Sequence, residues 1–110
     1  MNCEFHTDAD KLIAVLSGEI DHHQVAPVRE SIDEKIEAQK PKELVLDFSN
    51  TEFMDSSGIG MILGRYKLLN SLGGFVYINN PTKQVMKIIE IAGINRIIPV
   101  VNDYKKQEVE

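Results

Sequence analysis

A pair of serines, Ser56 and Ser57, follows Asp55 in the segment FMDSSGIGMILGRY, residues 53–66. Apolar residues recur at helical spacing after the pair, so a helix is predicted to begin close to the serines. Hydroxyl groups at a helix start have three possible roles. They serve as a catalytic nucleophile, as an acceptor of a phosphate group, or as an N-cap for a free N–H group of the first turn.

The histidines are the candidate bases if a serine is a nucleophile, because a catalytic serine needs a base within hydrogen-bond reach. His6, His22 and His23 are available, and the sequence does not fix their distances from the serines. The segment MDSSG also differs from the G-x-S-x-G elbow of serine hydrolases. No G-x-x-x-x-G-K-[ST] loop for a nucleotide occurs. A small serine hydrolase is therefore the less favoured alternative.

A phosphate acceptor fits the predicted position of the serines better. A hydroxyl at a helix start lies near free backbone N–H groups and the positive end of the helix dipole, and both favour a bound phosphate. Phosphorylation adds about −1.5 to −2 charges. Such a charge would disrupt an apolar docking surface beside it.

The helix after the serines is predicted to have a core face and an outward face. At 100° per residue, the residues that share the core direction are Ile59, Ile62, Leu63, Tyr66 and Leu69. The residues predicted to face outward are Ser57, Met61, Gly64 and Leu68. An exposed apolar strip with a glycine gap is a plausible docking surface. Isolated exposed apolar residues are also common without any function.

The segment Asp21–His22–His23 contains residue types that bind metals. Adjacent histidines on a helix point about 100° apart, so both cannot readily face one ion. We therefore expect a solvated helix start here, with no metal and no other cofactor.

The composition excludes several classes of protein. A net charge of −5, from 12 basic and 17 acidic side chains, argues against a general nucleic-acid binder. The single cysteine, Cys3, cannot build a disulfide or a zinc site within one chain. No signal-peptide pattern and no apolar run near the ~20 residues of a membrane span are found. A cytoplasmic domain without direct membrane insertion is expected.

The elements that must position the serines alternate between strands and helices. The pattern predicts an α/β fold, with a mixed sheet of about five strands and about four helices. Functional groups in such sheets lie at the carboxyl ends of the strands, so the loops GEIDHH and TEFMDSSG are expected to be close together. The predicted strands are residues 2–7 and 11–20, which form a hairpin, and residues 43–48, 74–79 and 96–101. One helix is predicted within residues 22–40, a second directly after the serines, and a third that is capped by Asn80, begins at Pro81 and ends at Gly93. Residues 102–110 are predicted to be a short helix or a fraying tail.

Three segments carry a specific resemblance. LSGEIDHH, LVLDFSNTEFMDSSGIGMILGRYK and GGFVYINNPTKQVMKIIEIAGINRIIPV resemble the anti-sigma factor antagonists of sporulating bacilli, which belong to the STAS domains. The similarity covers nearly the whole chain, and MDSSGIGMILGRYK is its most specific part. The resemblance implies one STAS-type domain over residues 1–110, without enzymatic activity of its own.

The resemblance also implies partners and a site. The unphosphorylated antagonist binds an anti-sigma factor serine kinase, with its bound nucleotide, and releases a sporulation sigma factor. The kinase phosphorylates the second serine of the D-S-S-G motif, here Ser57, and a serine phosphatase restores the active form. A stress-response antagonist of the same fold, acting on a different kinase, is an alternative. The residues expected to contact the kinase are Asp21, Asp55, Ser56, Ser57, Gly58, Met61, Gly64 and Leu68.

Overall fold

A computed structural model describes residues 2–102 and confirms the predicted α/β class. The elements are β1 (Asn2–Asp8), β2 (Lys11–Ile20), α1 (Val25–Gln39), β3 (Glu43–Met54), α2 (Ser56–Ser71), β4 (Phe75–Asn79), α3 (Lys83–Ala92), a 3-10 turn (Ile94–Arg96) and β5 (Val100–Val101). Strand β1 runs antiparallel to β2, and the sheet continues in parallel through β3, β4 and β5 in chain order.

The main core lies between one face of the sheet and the helices. Alternate residues of the strands point into it, such as Leu12 and Leu44, and they meet Ile32 of α1, Ile62 of α2 and Ile89 of α3. On the other face, a smaller cluster around Ile13 and Val45 is formed by strand residues only. This alternation places the helices on one side of the sheet.

Strand β3 is longer than predicted, because it continues past Phe48 to Met54. The polar segment SNTE resembles a loop in sequence, but β2 pairs with this part of β3 as far as Ile20 and Met54. Thr51 is fully buried there, and its hydroxyl donates to the carbonyl of Leu16 at 2.8 Å. The extension was not predicted because polar residues such as Thr51 are typical of loops.

The start of α3 also differs from the prediction. Thr82, and not Asn80, is the N-cap, and its hydroxyl accepts a hydrogen bond from the Val85 N–H at 3.4 Å. Asn80 instead adopts a left-handed conformation with φ of 48°, which asparagine tolerates better than most residues. Gly93, with φ of 74°, ends α3 as predicted.

The predicted last strand, residues 96–101, is mostly not a strand. Ile94 and Ile98 are both buried, which is a helical spacing, and a 3-10 turn forms between them. Only Val100 and Val101, just after Pro99, pair with β4 as the edge strand. Residues 2–102 contain three α-helices instead of about four. The predicted helix or tail at 102–110 lies, apart from Asn102, outside the described residues.

Candidate functional site

The carboxyl ends of β2 and β3 bring Asp21 and Asp55 together. Ile20 and Met54 form the last pair of the two parallel strands. Directly after this pair, the Asp55 N–H donates to the carbonyl of Ile20 at 3.1 Å. The two loops therefore leave the same edge of the sheet side by side, as the sequence predicted.

Asp21 organises the start of α1. Its Oδ1 atom accepts hydrogen bonds from the N–H groups of His23, at 2.9 Å, and Gln24, at 3.0 Å. Its backbone carbonyl accepts a further bond from the Val25 N–H at 2.9 Å. The half-buried Asp21 is thus fixed next to the serine turn (residues 55–58), with a negative charge at a helix N-terminus.

Asp55 is the N-cap of α2. It has an extended conformation, and its Oδ1 atom accepts the Ser57 N–H at 2.8 Å. A serine cap is therefore not what this helix uses. Within residues 2–102, neither serine hydroxyl has a hydrogen-bond partner, and Ser56 is exposed while Ser57 is half-buried. Both hydroxyls remain available for chemistry.

Gly58 lets the first turn of α2 approach the end of β3. A Cβ atom at this position would lie 2.3 Å from Cγ and 2.5 Å from Sδ of Met54, which is fully buried. Any side chain here would have to displace Met54. Gly58 is itself buried. Its role in the site is therefore to let the serine turn lie close to β3.

The outward face of α2 differs from the predicted one. Met61, which was expected to be exposed, is 3% exposed and belongs to the core. Leu68 is half-buried and packs against the edge of the same core. Helix α2 packs against α1 as well as the sheet, and its buried face is rotated from the predicted one towards Met61 and Arg65. Its buried residues are Gly58, Met61, Ile62, Arg65 and Leu69.

Two glycines lie on the outward face. A Cβ atom added at Gly60 or at Gly64 would meet no heavy atom within 4 Å. With Ser57 they form a strip at helical spacing, which we call the glycine strip (Ser57, Gly60, Gly64). The prediction that Gly64 faces outward agrees with this geometry. Gly60 lies on the same face, and the sequence did not identify it as part of the strip.

Arg65 joins α2 to α1 beneath this face. Its Nε atom lies 3.0 Å from Oδ1 of Asp33, and the two side chains form an ion pair. The Nε–H group of Arg65 is not directed at this oxygen, so the pair is not also a hydrogen bond. The guanidinium is largely buried, and Nη1 has no hydrogen-bond partner in the part of the chain described. Burial lowers the pKa of Arg65, the nearby Asp33 opposes this shift, and Arg29 adds to it.

Gln84 of α3 holds the end of β3, and sequence reasoning missed it. Its Oε1 accepts the Met54 N–H at 2.9 Å, and its Nε2 donates to the Met54 carbonyl at 3.1 Å. Two positions earlier, the Thr82 hydroxyl donates to the carbonyl of Thr51 at 3.2 Å. The first turn of α3 therefore lies along the part of β3 that precedes the serines.

No histidine within residues 2–102 is hydrogen-bonded to a serine hydroxyl, as the base of an activated serine would be. His6 pairs with Ile13, seven residues before the end of β2, which places it about 23 Å along the strand from the serine edge. His22 and His23 are exposed, and their rings contact each other with centroids 3.9 Å apart and planes tilted by 40°. Burial raises the pKa of the Cys3 thiol to about 11, so it is a poor nucleophile near neutral pH.

Residues 2–102 hold no group of three or more histidine, cysteine, aspartate or glutamate side chains placed to share an ion. None of the helices in this range is both long and apolar enough to cross a bilayer.

Comparison with known proteins gives a consistent result. The STAS domain model matches residues 2–107. An anti-sigma F factor antagonist of Paenibacillus polymyxa is 43% identical over 89 residues, covering 81% of this chain and 76% of that protein. An anti-sigma-B factor antagonist of Bacillus subtilis is 23% identical, with 91% and 90% covered.

Solved structures agree with the sequence comparison. The unphosphorylated form of the anti-sigma factor antagonist SpoIIAA matches with a TM-score of 0.85 and 26% identity, covering 98% of this chain and 93% of that one. The phosphorylated form of SpoIIAA, a Bacillus cell fate determinant, matches with a TM-score of 0.77 and 25% identity, covering 98% and 96%. The family resemblance seen in the sequence is confirmed.

Proposed function

The chain belongs to the STAS domain family and is an anti-sigma factor antagonist of the SpoIIAA type, and on that premise we propose how it works. Its unphosphorylated form binds an anti-sigma factor serine kinase, with nucleotide bound, and so releases a sporulation sigma factor. Phosphorylation of Ser57 inactivates it, and a serine phosphatase reactivates it. The protein acts in the cytoplasm as one binding domain, residues 1–110, without enzymatic activity of its own.

The observation that carries this proposal is the capping of α2 by Asp55. Because the Asp55 carboxylate satisfies the Ser57 N–H, the Ser57 hydroxyl is not needed to stabilise the helix. A serine whose hydroxyl were the cap would lose a stabilising bond on phosphorylation. Here the hydroxyl can be modified and restored without removing any hydrogen bond among the described residues.

The direction of Ser57 supports its choice over Ser56. Seven residues separate Ser57 from Gly64, which places them within about 20° of each other around the helix. Ser56 is about 80° from Gly64 on the same count. Relative to Gly60 the two angles are about 60° for Ser57 and about 40° for Ser56, so it is the Gly64 end of the strip that favours Ser57.

The glycine strip supports a docking role for this face. Each glycine inside a helix costs roughly 1 kcal/mol relative to alanine. Around Gly60 and Gly64 nothing within 4 Å requires the absence of a side chain. Close approach of a partner provides a reason for both. The proposed contact residues are Asp21, Asp55, Ser56, Ser57, Gly60, Gly64 and Leu68, while the buried Met61 and Gly58 support them from beneath.

Phosphate mapping tests the proposal. The protein is incubated with a sporulation anti-sigma kinase and ATP, and the modified residue is located by mass spectrometry. Modification at Ser57 is expected, together with loss of kinase binding. Stable binding with no modification at any serine would contradict the phosphorylation step.

A stress-response antagonist is the second candidate, and the similarity to an anti-sigma-B factor antagonist supports it. The same assay with a stress-response kinase distinguishes the two. Our proposal expects tighter binding and faster labelling with the sporulation kinase. The reverse preference would assign the chain to the stress response.

A further inference from the structure

The side chain of Gln84 takes the place of a missing strand beside the serine turn. Strand β4 pairs with β3 only as far as Asn79 and Asp47. Strand β3 continues for seven more residues to Met54, with β2 on one side and no β4 on the other. The primary amide of Gln84 pairs with both the N–H and the carbonyl of Met54, as a neighbouring strand would.

The geometry of a parallel strand explains why Met54 needs this partner. The Asp55 N–H points towards β2, where it donates to Ile20. Successive peptide groups of a strand point to opposite sides, so the N–H and carbonyl of Met54 point away from β2. The side chain of Met54 is fully buried. An unpaired buried backbone group is costly, and the amide of Gln84 satisfies two of them at once.

We propose that Gln84 is a positioning residue for Ser57, an inference that rests on the proposed function. The peptide of Met54 is held by Gln84, the next residue caps α2, and the cap bonds the Ser57 N–H. The hydrogen bonds in this chain are 3.1 Å or shorter, and the covalent bond between Met54 and Asp55 joins them, so α3 positions the backbone of Ser57. The kinase then meets a serine whose backbone is held in one place.

Gln84 is not required to dock α3 itself. Val85 and Ile89 are fully buried in the core and attach the helix to the sheet. The Thr82 hydroxyl caps the helix and contacts β3 separately. Loss of the Gln84 amide should therefore loosen the serine turn without releasing the helix.

The test compares Gln84→Leu, which removes both hydrogen bonds, with Gln84→Glu, which keeps the acceptor for the Met54 N–H but removes the donor to the Met54 carbonyl. Lys87→Leu is the matched control, because Lys87 is an exposed residue of the same helix. Two sets of measurements are made. One is the NMR shifts and hydrogen exchange of the Met54, Asp55 and Ser57 amides, and the other is the kcat and KM for phosphorylation by the kinase.

We expect faster exchange of the Met54 amide and a shifted Ser57 amide in Gln84→Leu, and a smaller effect in Gln84→Glu. Because misplaced reacting groups slow the chemical step, kcat should fall roughly tenfold in Gln84→Leu. KM should change little, since the glycine strip is intact. Lys87→Leu should match the wild type. If Gln84→Leu does not fold, Gln84→Glu alone should show the same two effects at lower amplitude.

Two results would overturn the inference. One is an unshifted Ser57 amide in folded Gln84 variants, and the other is a wild-type kcat despite faster Met54 exchange. Failure of the proposed function gives a different result, because wild-type protein is then not labelled at Ser57. In that case the amide shifts alone decide whether Gln84 positions the turn.

Discussion

The carboxylate of Asp55 lies 2.8 Å from the backbone nitrogen of Ser57 and caps the helix that carries both serines. One acid therefore provides the local stability of the site and leaves both hydroxyls unbonded within residues 2–102. Asp55 stabilises the start of α2, and neither serine hydroxyl is needed for that stability.

Replacing this cap should destabilise the protein. Asp55→Ala removes the acceptor for the Ser57 N–H, and the free energy of unfolding should fall by about 0.5–2 kcal/mol. Asp55→Asn keeps an oxygen acceptor and should retain most of the stability. Urea unfolding of the three proteins measures the difference. Equal losses in the alanine and asparagine variants would show that charge, and not the hydrogen bond, is what matters.

Much of this site was predictable from sequence, and the errors have physical causes. The order of strands and helices places Asp21 and Asp55 at one edge, which needs only the direction of parallel strands. The orientation of α2 was wrong at Met61, because apolar spacing does not show that α1 packs on the helix from the side. The contact of Gln84 with Met54 joins residues 30 apart, and neither residue type marks it.

The serine assignment has a direct test. Ser57→Ala should abolish labelling by the kinase and ATP, and the variant should bind the kinase constitutively. Ser56→Ala is the matched control, since it lies next to the site and should be labelled normally. Mass spectrometry of the tryptic peptides reads out both variants. Labelling that survives in Ser57→Ala and disappears in Ser56→Ala would move the phosphate to Ser56.

The glycine strip predicts opposite changes in stability and binding. Gly64→Gln places a side chain where no heavy atom lies within 4 Å. The folded domain should therefore gain up to about 0.5–1 kcal/mol of helix propensity. The same side chain should block close approach of the kinase and weaken binding at least tenfold. Asn70→Gln, at an exposed position of the same helix, is the control.

Thermal melts and calorimetric titration test the Gly64 variant together. A higher melting temperature with weaker binding supports the docking role of the strip. A stable variant with wild-type affinity would remove Gly64 from the interface.

Because of the ion pair between Arg65 and Asp33, we expect Asp33→Ala to lower the free energy of unfolding more than Arg65→Met does. Asp33→Ala leaves the buried Arg65 guanidinium without its counter-charge and should cost about 1–3 kcal/mol, a range reduced because the Asp33 side chain is 40% exposed. Arg65→Met removes the charge, and with it the unpaired Nη1, while keeping apolar volume. It should therefore cost less. Urea unfolding at low and high salt measures both, and a larger loss in Arg65→Met would contradict the argument.

The phosphate is predicted to act locally, by its charge and bulk at the docking face, without refolding the domain. The Ser57 hydroxyl has no hydrogen-bond partner within residues 2–102, so adding a phosphate breaks no contact there. Asp55 and Asp21 lie on the same edge of the sheet, and their like charges direct the phosphate outward, towards an approaching partner. Like charges at an interface cost several kcal/mol, and about 1.4 kcal/mol corresponds to a tenfold change in affinity.

Ser57→Asp should therefore melt within a few degrees of the wild type and bind the kinase at least tenfold more weakly. Ser56→Asp is the control for a charge added outside the glycine strip, and it should weaken binding less. NMR spectra of the free protein with and without phosphate test the mechanism directly. Shift changes should be confined to residues 20–24 and 53–61 and to the Gln84 side chain that contacts Met54. Changes that extend through β4 and the rest of α3 would show that the phosphate acts by rearranging the fold.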